Sequence, residues 1–232
     1  MTKQSIVIII WLIIGLLIDQ KMAWWGQLLT NLITWILLLA LWRTVTPTMQ
    51  VALILCLGYA TVGEVFLSLV WGLYEYRLHN VPLFIPPGHA LLFTLGLLNA
   101  PKMPTWIVWS IPILFTPYMI FAVLTGVDTL GGILFVIFIT CLGLGRAKKL
   151  YATMFILSLL LEIYGTGLGN WTWLLEVPWL GLTSTNPPVS AGTFYCLLDL
   201  LVVSTTGQIQ TGWSKLMNSK RLATSSSEGS LS

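Results

Sequence analysis

Glu64, His89, Glu162 and Asp199 stand inside or at the mouths of stretches that are otherwise almost wholly apolar. A charged side chain facing lipid costs roughly 2.5–3.5 kcal/mol on insertion scales, so acids kept in such stretches point inward and toward a shared role. An acid in a pocket of low dielectric can carry its proton at neutral pH and donate it strongly. Such a donor suits protonation of a carbon–carbon double bond or an epoxide. The cation so formed is steadied by aromatic faces, each contributing about 0.5–2 kcal/mol. Tyr74, Tyr76, Trp171 and Trp173 flank the acid-bearing stretches and are the rings placed for that work. The candidate catalytic set is therefore Glu64, Asp199, Glu162 and His89, with Glu64 or Asp199 donating and the other acids orienting it or activating water. Asn186 and Tyr195 complete the candidate substrate-contacting set.

Competing chemistries fit less well. Glu, His and Asp are all competent metal ligands, but the only histidines are His79 and His89, and neither HxxxH nor ExxH spacing occurs. No metal and no cofactor is expected. A Gly-x-Ser-x-Gly nucleophile turn is absent as well. Cys56, Cys141 and Cys196 lie in separate apolar stretches without CxxC spacing and read as small buried packing residues.

The elements that must position the acids are membrane helices. Hydrophobic residues make up 56% of the 232 residues and charged residues 8%, and mean hydropathy is +0.88. A soluble domain carries roughly 25% charged residues. Apolar runs predict an all-α, polytopic bundle of about eight helices. They are placed at Ser5–Asp19, Ala23–Trp42, Val51–Leu73, Gly88–Ala100, Thr105–Thr125, Thr129–Gly145, Leu150–Gly167 and Val189–Gln208. Gly88–Ala100 is short for a full crossing and reads as tilted or re-entrant. The first run lacks a small-residue cleavage site and reads as a retained helix.

Charge sets the orientation. With both termini cytoplasmic, nine basic residues (Lys3, Arg43, Lys102, Arg146, Lys148, Lys149, Lys215, Lys220, Arg221) fall inside and only Lys21 and Arg77 outside. The expected location is the cell membrane. A net charge of +3 and no basic run interleaved with aromatics argue against a nucleic-acid partner. Residues 213–232 are polar and Ser-rich and read as a disordered cytoplasmic tail beyond the 1–212 helical domain. Glu75, Arg77, His79 and Glu176 read as solvated loop charges, and Trp24, Trp25, Trp106 and Trp109 as an interfacial belt. Asn170-Trp-Thr172 fits the glycosylation pattern but hugs the membrane.

The two outward loops rhyme. Glu64 is followed by Gly72-Leu-Tyr74-Glu-Tyr76, Asn80-Val-Pro82 and Pro86-Pro87-Gly-His89; Glu162 is followed by Gly169-Asn-Trp171-Thr-Trp173, Asn186-Pro187-Pro188 and a helix that reaches Asp199. An internal duplication would give this pattern. Residues three, four and seven apart share a helix face. Glu162 thus shares a face with Gly165, Thr166 and Gly169, a stripe expected to admit a neighbouring helix. Glu64 shares one with Ala60, Thr61, Ser68 and Trp71, and Asp199 with Gly192, Tyr195, Cys196 and Thr206. By rise along their helices, all four ionisable groups are expected around one cavity in the outer half of the bilayer.

The stretch Glu64-Val-Phe-Leu-Ser-Leu-Val-Trp-Gly72-Leu-Tyr74-Glu-Tyr76, with Val81-Pro82-Leu-Phe-Ile85-Pro86 after it, resembles the carotenoid hydratase family of bacterial integral membrane proteins. Glu162, Gly169-Asn-Trp171-Thr-Trp173 and Asn186-Pro187 look like that family's later acid, Trp-x-Trp and Asn elements. The likeness covers about a third of the chain through short motifs. Pro87-Gly88-His89 departs from it, standing where the family tends to carry an aromatic, and Asn186 is followed by Pro187-Pro188 where the family pattern leads to an aromatic and Gly. Small membrane-bound terpene cyclases are similar in size and logic. Both resemblances imply proton-initiated hydration, cyclisation or isomerisation of an isoprenoid. The rival expectation is a lipid-binding protein or a proton-coupled transporter of small solutes, for which Pro112 and Pro117 inside one segment speak.

Overall fold

A computed structural model describes residues 2–228, with side chains through residue 212. The described residues form eight α-helices and two small two-stranded ribbons, so the bundle is all-α as expected. Helices α1 (Lys3–Lys21) and α2 (Ala23–Trp42) make a tight hairpin turned by Met22. Thr2 caps α1 by accepting from the Ser5 amide. Gly26 packs so closely on the Ile18 carbonyl that a side chain there would collide with it. Thr46 caps α3 (Pro47–Glu64), whose first-turn proline needs no amide partner.

The third segment is not one α-helix. After Glu64 the chain passes through a π-helical turn, Val65–Val70, and ends at Gly72 with φ +73°. It then forms β1 (Tyr74–Tyr76). Helix α4 (Ile85–Asn99) is about 22 Å long at 1.5 Å per residue, short of the roughly 30 Å hydrocarbon layer. It packs on α1, α2, α3 and α7. Its brevity is therefore tolerated inside protein, with Ala90 through Gly96 buried.

The second half repeats the plan. Helices α5 (Thr105–Leu124) and α6 (Thr129–Leu144) form a hairpin, and α7 (Lys148–Leu168) leads through Gly169 at φ +79° into β2 (Trp171–Trp173). Asp128 caps α6 and also accepts from Thr185 Oγ1 and the Val189 amide, which ties the last loop down. A second ribbon, β3 (Glu176–Val177) with β4 (Leu182–Thr183), precedes α8 (Gly192–Glu228). Helix α8 starts three residues later than its apolar run. Its backbone continues past Gln208 into the segment expected as a polar tail, and residues 229–232 of that tail lie outside the described residues.

Helices α3, α4, α7 and α8 form the centre, and the α1–α2 and α5–α6 hairpins flank it. Strands β1 and β2 pair antiparallel, Tyr74 opposite Trp173 and Tyr76 opposite Trp171, and roof the four central helices. Lys3–Lys21, Ala23–Trp42, Pro47–Val70, Thr105–Leu124 and Lys148–Leu168 are each long and apolar enough to cross a membrane. Their outward faces carry exposed Ile, Leu, Phe and Trp, as a lipid-embedded bundle requires.

Candidate functional site

Beneath the β1–β2 roof the two glutamates occupy equivalent places. Glu64 Oε2 accepts from Tyr76 Oη at 2.6 Å and Tyr74 Oη at 2.7 Å. Glu162 Oε2 accepts from Trp171 Nε1 at 2.8 Å and Trp173 Nε1 at 3.0 Å. Alternation along a strand sends both aromatics of each pair inward while Glu75 and Thr172 between them face out. The aromatic-x-aromatic spacing is thus what lets one oxygen of a buried acid receive two donors.

The other oxygens are met from α4 and α8. Glu64 Oε1 lies 3.3 Å from His89 Nε2, and Glu162 Oε1 accepts from Tyr195 Oη at 3.1 Å. His89 Nδ1 sits 2.9 Å from the Ile85 carbonyl. That carbonyl can only accept, so Nδ1 bears a hydrogen. Nε2, the other ring nitrogen, then faces Glu64 Oε1. Any proton on Glu162 belongs to Oε1, because indole N–H groups saturate Oε2 and cannot accept. His89 and Tyr195 are themselves stacked, 4.8 Å and 4° apart.

The local sequence explains the equivalence. Tyr74 follows Glu64 by ten residues and Trp171 follows Glu162 by nine. A π-turn holds one more residue than the α-helix it interrupts. Val65–Val70 takes up that extra residue, so the two pairs arrive in register. Gly165 serves this arrangement as well. The small-residue stripe beside Glu162 was expected to admit a neighbouring helix, but the Trp171 ring lies where a Gly165 side chain would be.

Glu64, Tyr74, His89, Glu162, Trp173 and Tyr195 line two chambers at once. A narrow one of about 60 Å³ reaches toward α1 and α2, where Trp11, Gly15, Thr30 and Thr34 line it. A wide one of about 280 Å³ lies between α3 and α8. The aromatic roof faces both. Burial and the facing Glu64 carboxylate push the Tyr74 and Tyr76 phenols well above the usual tyrosine range, so they stay donors.

Two candidates fall elsewhere. Asp199 is fully buried, but it sits four residues beyond Tyr195 on α8, about 6 Å farther from the roof. It lines neither chamber. Both of its carboxyl oxygens lack a hydrogen-bond partner. The expected single cavity for all four ionisable groups is therefore a cavity for Glu64, Glu162 and His89. Asn186 is exposed, and its Oδ1 accepts from the Trp173 amide at 2.9 Å. It latches the roof and does not enter either chamber.

Other residues with a part in the site were not singled out as such from sequence. Arg77, expected as a solvated charge, is partly buried, 3.7 Å from Asp19. Asp19 also accepts from Asn170 Nδ2 at 2.6 Å. This group pins both roof strands to the end of α1, and it buries Asn170, which the glycosylation pattern would need exposed. His79 and Glu75 do form an exposed pair, as loop charges should. The α1–α2 wall had a readable signal, since Gln27, Thr30, Asn31 and Thr34 share one face of an otherwise apolar helix. Among the described residues no cluster of three or more His, Cys, Asp or Glu could hold a metal. Comparison of the chain with protein-family models, curated proteins and solved structures finds no match.

Proposed function

We infer that the chain is an integral membrane enzyme that begins a reaction on an isoprenoid or similar unsaturated lipid by protonating it. The observation that carries this reading is the pair of buried carboxyl groups, each with one oxygen saturated by the roof and the other turned to the stacked His89 and Tyr195. The proton held between Glu64 and His89 passes to one carbon of a double bond in the chamber. The π electrons form the new C–H bond, and the adjacent carbon becomes cationic. The faces of Tyr74, Trp173 and Tyr195 and the Glu162 carboxylate steady that cation. It is quenched by water, whose released proton Glu162 accepts at Oε1, or by direct loss of a neighbouring proton to the same oxygen. Either outcome leaves the net proton count unchanged, so no cofactor enters.

The motif resemblance to carotenoid hydratases agrees with this chemistry. The basic-residue bias supports both termini on the cytoplasmic side and the roof outside. Asp199 has no step here. Lipid extraction and mass spectrometry from isoprenoid-producing cells expressing the wild type, Glu64→Gln, Glu162→Gln or Asp199→Asn tests the assignment. A changed isoprenoid profile in the wild type and in Asp199→Asn, lost in both glutamate variants, is expected. An identical profile in all four overturns it.

A further inference from the structure

The β1–β2 roof closes the water side of the acids, whereas the wide chamber is walled by two helices with lipid-facing flanks. Tyr59, Ala60, Gly63 and Leu67 of α3 and the following turn face Phe194, Leu198 and Leu201 of α8 across it. Apart from the shared polar centre, these walls are apolar. Val62, Phe66 and Leu201 at the mouth are 69%, 47% and 48% exposed, and in a bilayer that exposure is to hydrocarbon. From Tyr59 to Leu67 the opening runs about 12 Å along the helix. Its volume of about 280 Å³ approaches the roughly 300–1,000 Å³ of small-molecule sites.

Gly63 is the residue that leaves this mouth clear. A side chain built there meets no atom within 4 Å. Gly58 on the same helix is equally free of neighbours, but only Gly63 lines the wide chamber, so only there would a large side chain fill the mouth. By contrast, the related cleft between α4 and α7 is covered by α1, which packs on both helices.

We propose that the α3–α8 cleft is a lateral entrance through which a long-chain apolar molecule reaches the two acids directly from the bilayer, with Gly63 keeping it open. The inference rests on the reading that the chambers take a lipid, but not on what the acids then do. The ligand class follows from the route. A molecule that arrives through hydrocarbon must itself dissolve there, so hydrophilic solutes are excluded.

The test uses the full chain in phospholipid nanodiscs and a long-chain alcohol carrying a diazirine in its tail. Light-induced labelling of Phe194 and Leu198 is quantified by peptide mass spectrometry. Gly63→Phe is expected to cut labelling several-fold and Leu201→Ala to raise it. Gly58→Phe, on the same helix and lining neither chamber, should leave it unchanged. Gly63→Phe labelled to the wild-type level would overturn the entrance. Glu64→Gln labelled like the wild type supports it, and loss of labelling there would contradict an apolar route. If the entrance variants behave as stated while Glu64→Gln leaves cellular isoprenoids unaltered, the entrance stands and the acid chemistry falls.

Discussion

His89 lies flat on Tyr195, with ring centroids 4.8 Å apart and planes 4° from parallel. One ring reaches Glu64 and the other Glu162. The stack fixes the spacing between the Glu64–His89 contact and the Glu162 carboxyl, which is surrounded by donors. Tyr195→Phe keeps the ring but removes one hydrogen bond of about 1–1.5 kcal/mol, so product formation should fall roughly tenfold. His89→Phe keeps the stack and removes the proton partner, and should cost roughly 10²- to 10⁴-fold. Product assays on purified variants in nanodiscs measure both. Equal losses in the two variants would contradict a proton-holding role for His89.

The π-turn makes a prediction about chain length. Deleting Ser68 removes the one residue by which the Glu64–Tyr74 interval exceeds the Glu162–Trp171 interval. The turn should revert to α-helix and the protein should still fold. Deleting Ile163 from α7, which has no such slack, should abolish folding. Size-exclusion profiles of the solubilised proteins separate the outcomes, and two equally aggregated deletions would contradict the register argument.

Two glycines near Glu162 should behave oppositely. Gly165→Ala drives a methyl into the Trp171 ring and should destabilise by about 1–3 kcal/mol, the usual effect of overpacking. At Gly167 a side chain meets no atom within 4 Å. Gly167→Ala should be neutral or stabilise by up to about 1 kcal/mol through helix propensity. Thermal midpoints in detergent give the comparison.

Raised phenols impose a pH dependence with a definite sign. The native state keeps Tyr74 and Tyr76 protonated where free tyrosine, near pH 10, ionises. Above about that pH the unfolded chain binds fewer protons than the native one, so stability falls as pH rises; below it these groups add no slope. The contribution is complete below about pH 10 and is lost as the pH approaches the folded-state values. Unfolding midpoints between about pH 8 and pH 11 should drop less steeply in Tyr74→Phe than in the wild type.

Much of this architecture could be read from the sequence because membrane helices must be apolar throughout. Ala23–Trp42 matched its helix residue for residue, and most other boundaries lay within a few residues. The rhyme of Tyr74-x-Tyr76 with Trp171-x-Trp173 also marked the ring pairs that now meet Glu64 and Glu162. Three things were hidden. A π-turn has no strong composition signal, so Glu64 appeared deeper in its helix than it lies. Inward direction does not fix depth, so Asp199 was grouped with acids from which it is separate. Arg77 looked like any loop charge because its partner, Asp19, is distant in sequence.

Transfer of a proton from Glu64 to carbon is read directly by isotope labelling. Membranes containing the wild type, Glu64→Gln or Asp199→Asn are incubated in D₂O with an unsaturated isoprenoid mixture, and products are analysed by mass spectrometry. The expected result is a carbon-bound, solvent-derived deuterium in the product made by the wild type and by Asp199→Asn, and no such product from Glu64→Gln. Products free of carbon-bound deuterium, or deuterated equally by Glu64→Gln, would contradict it.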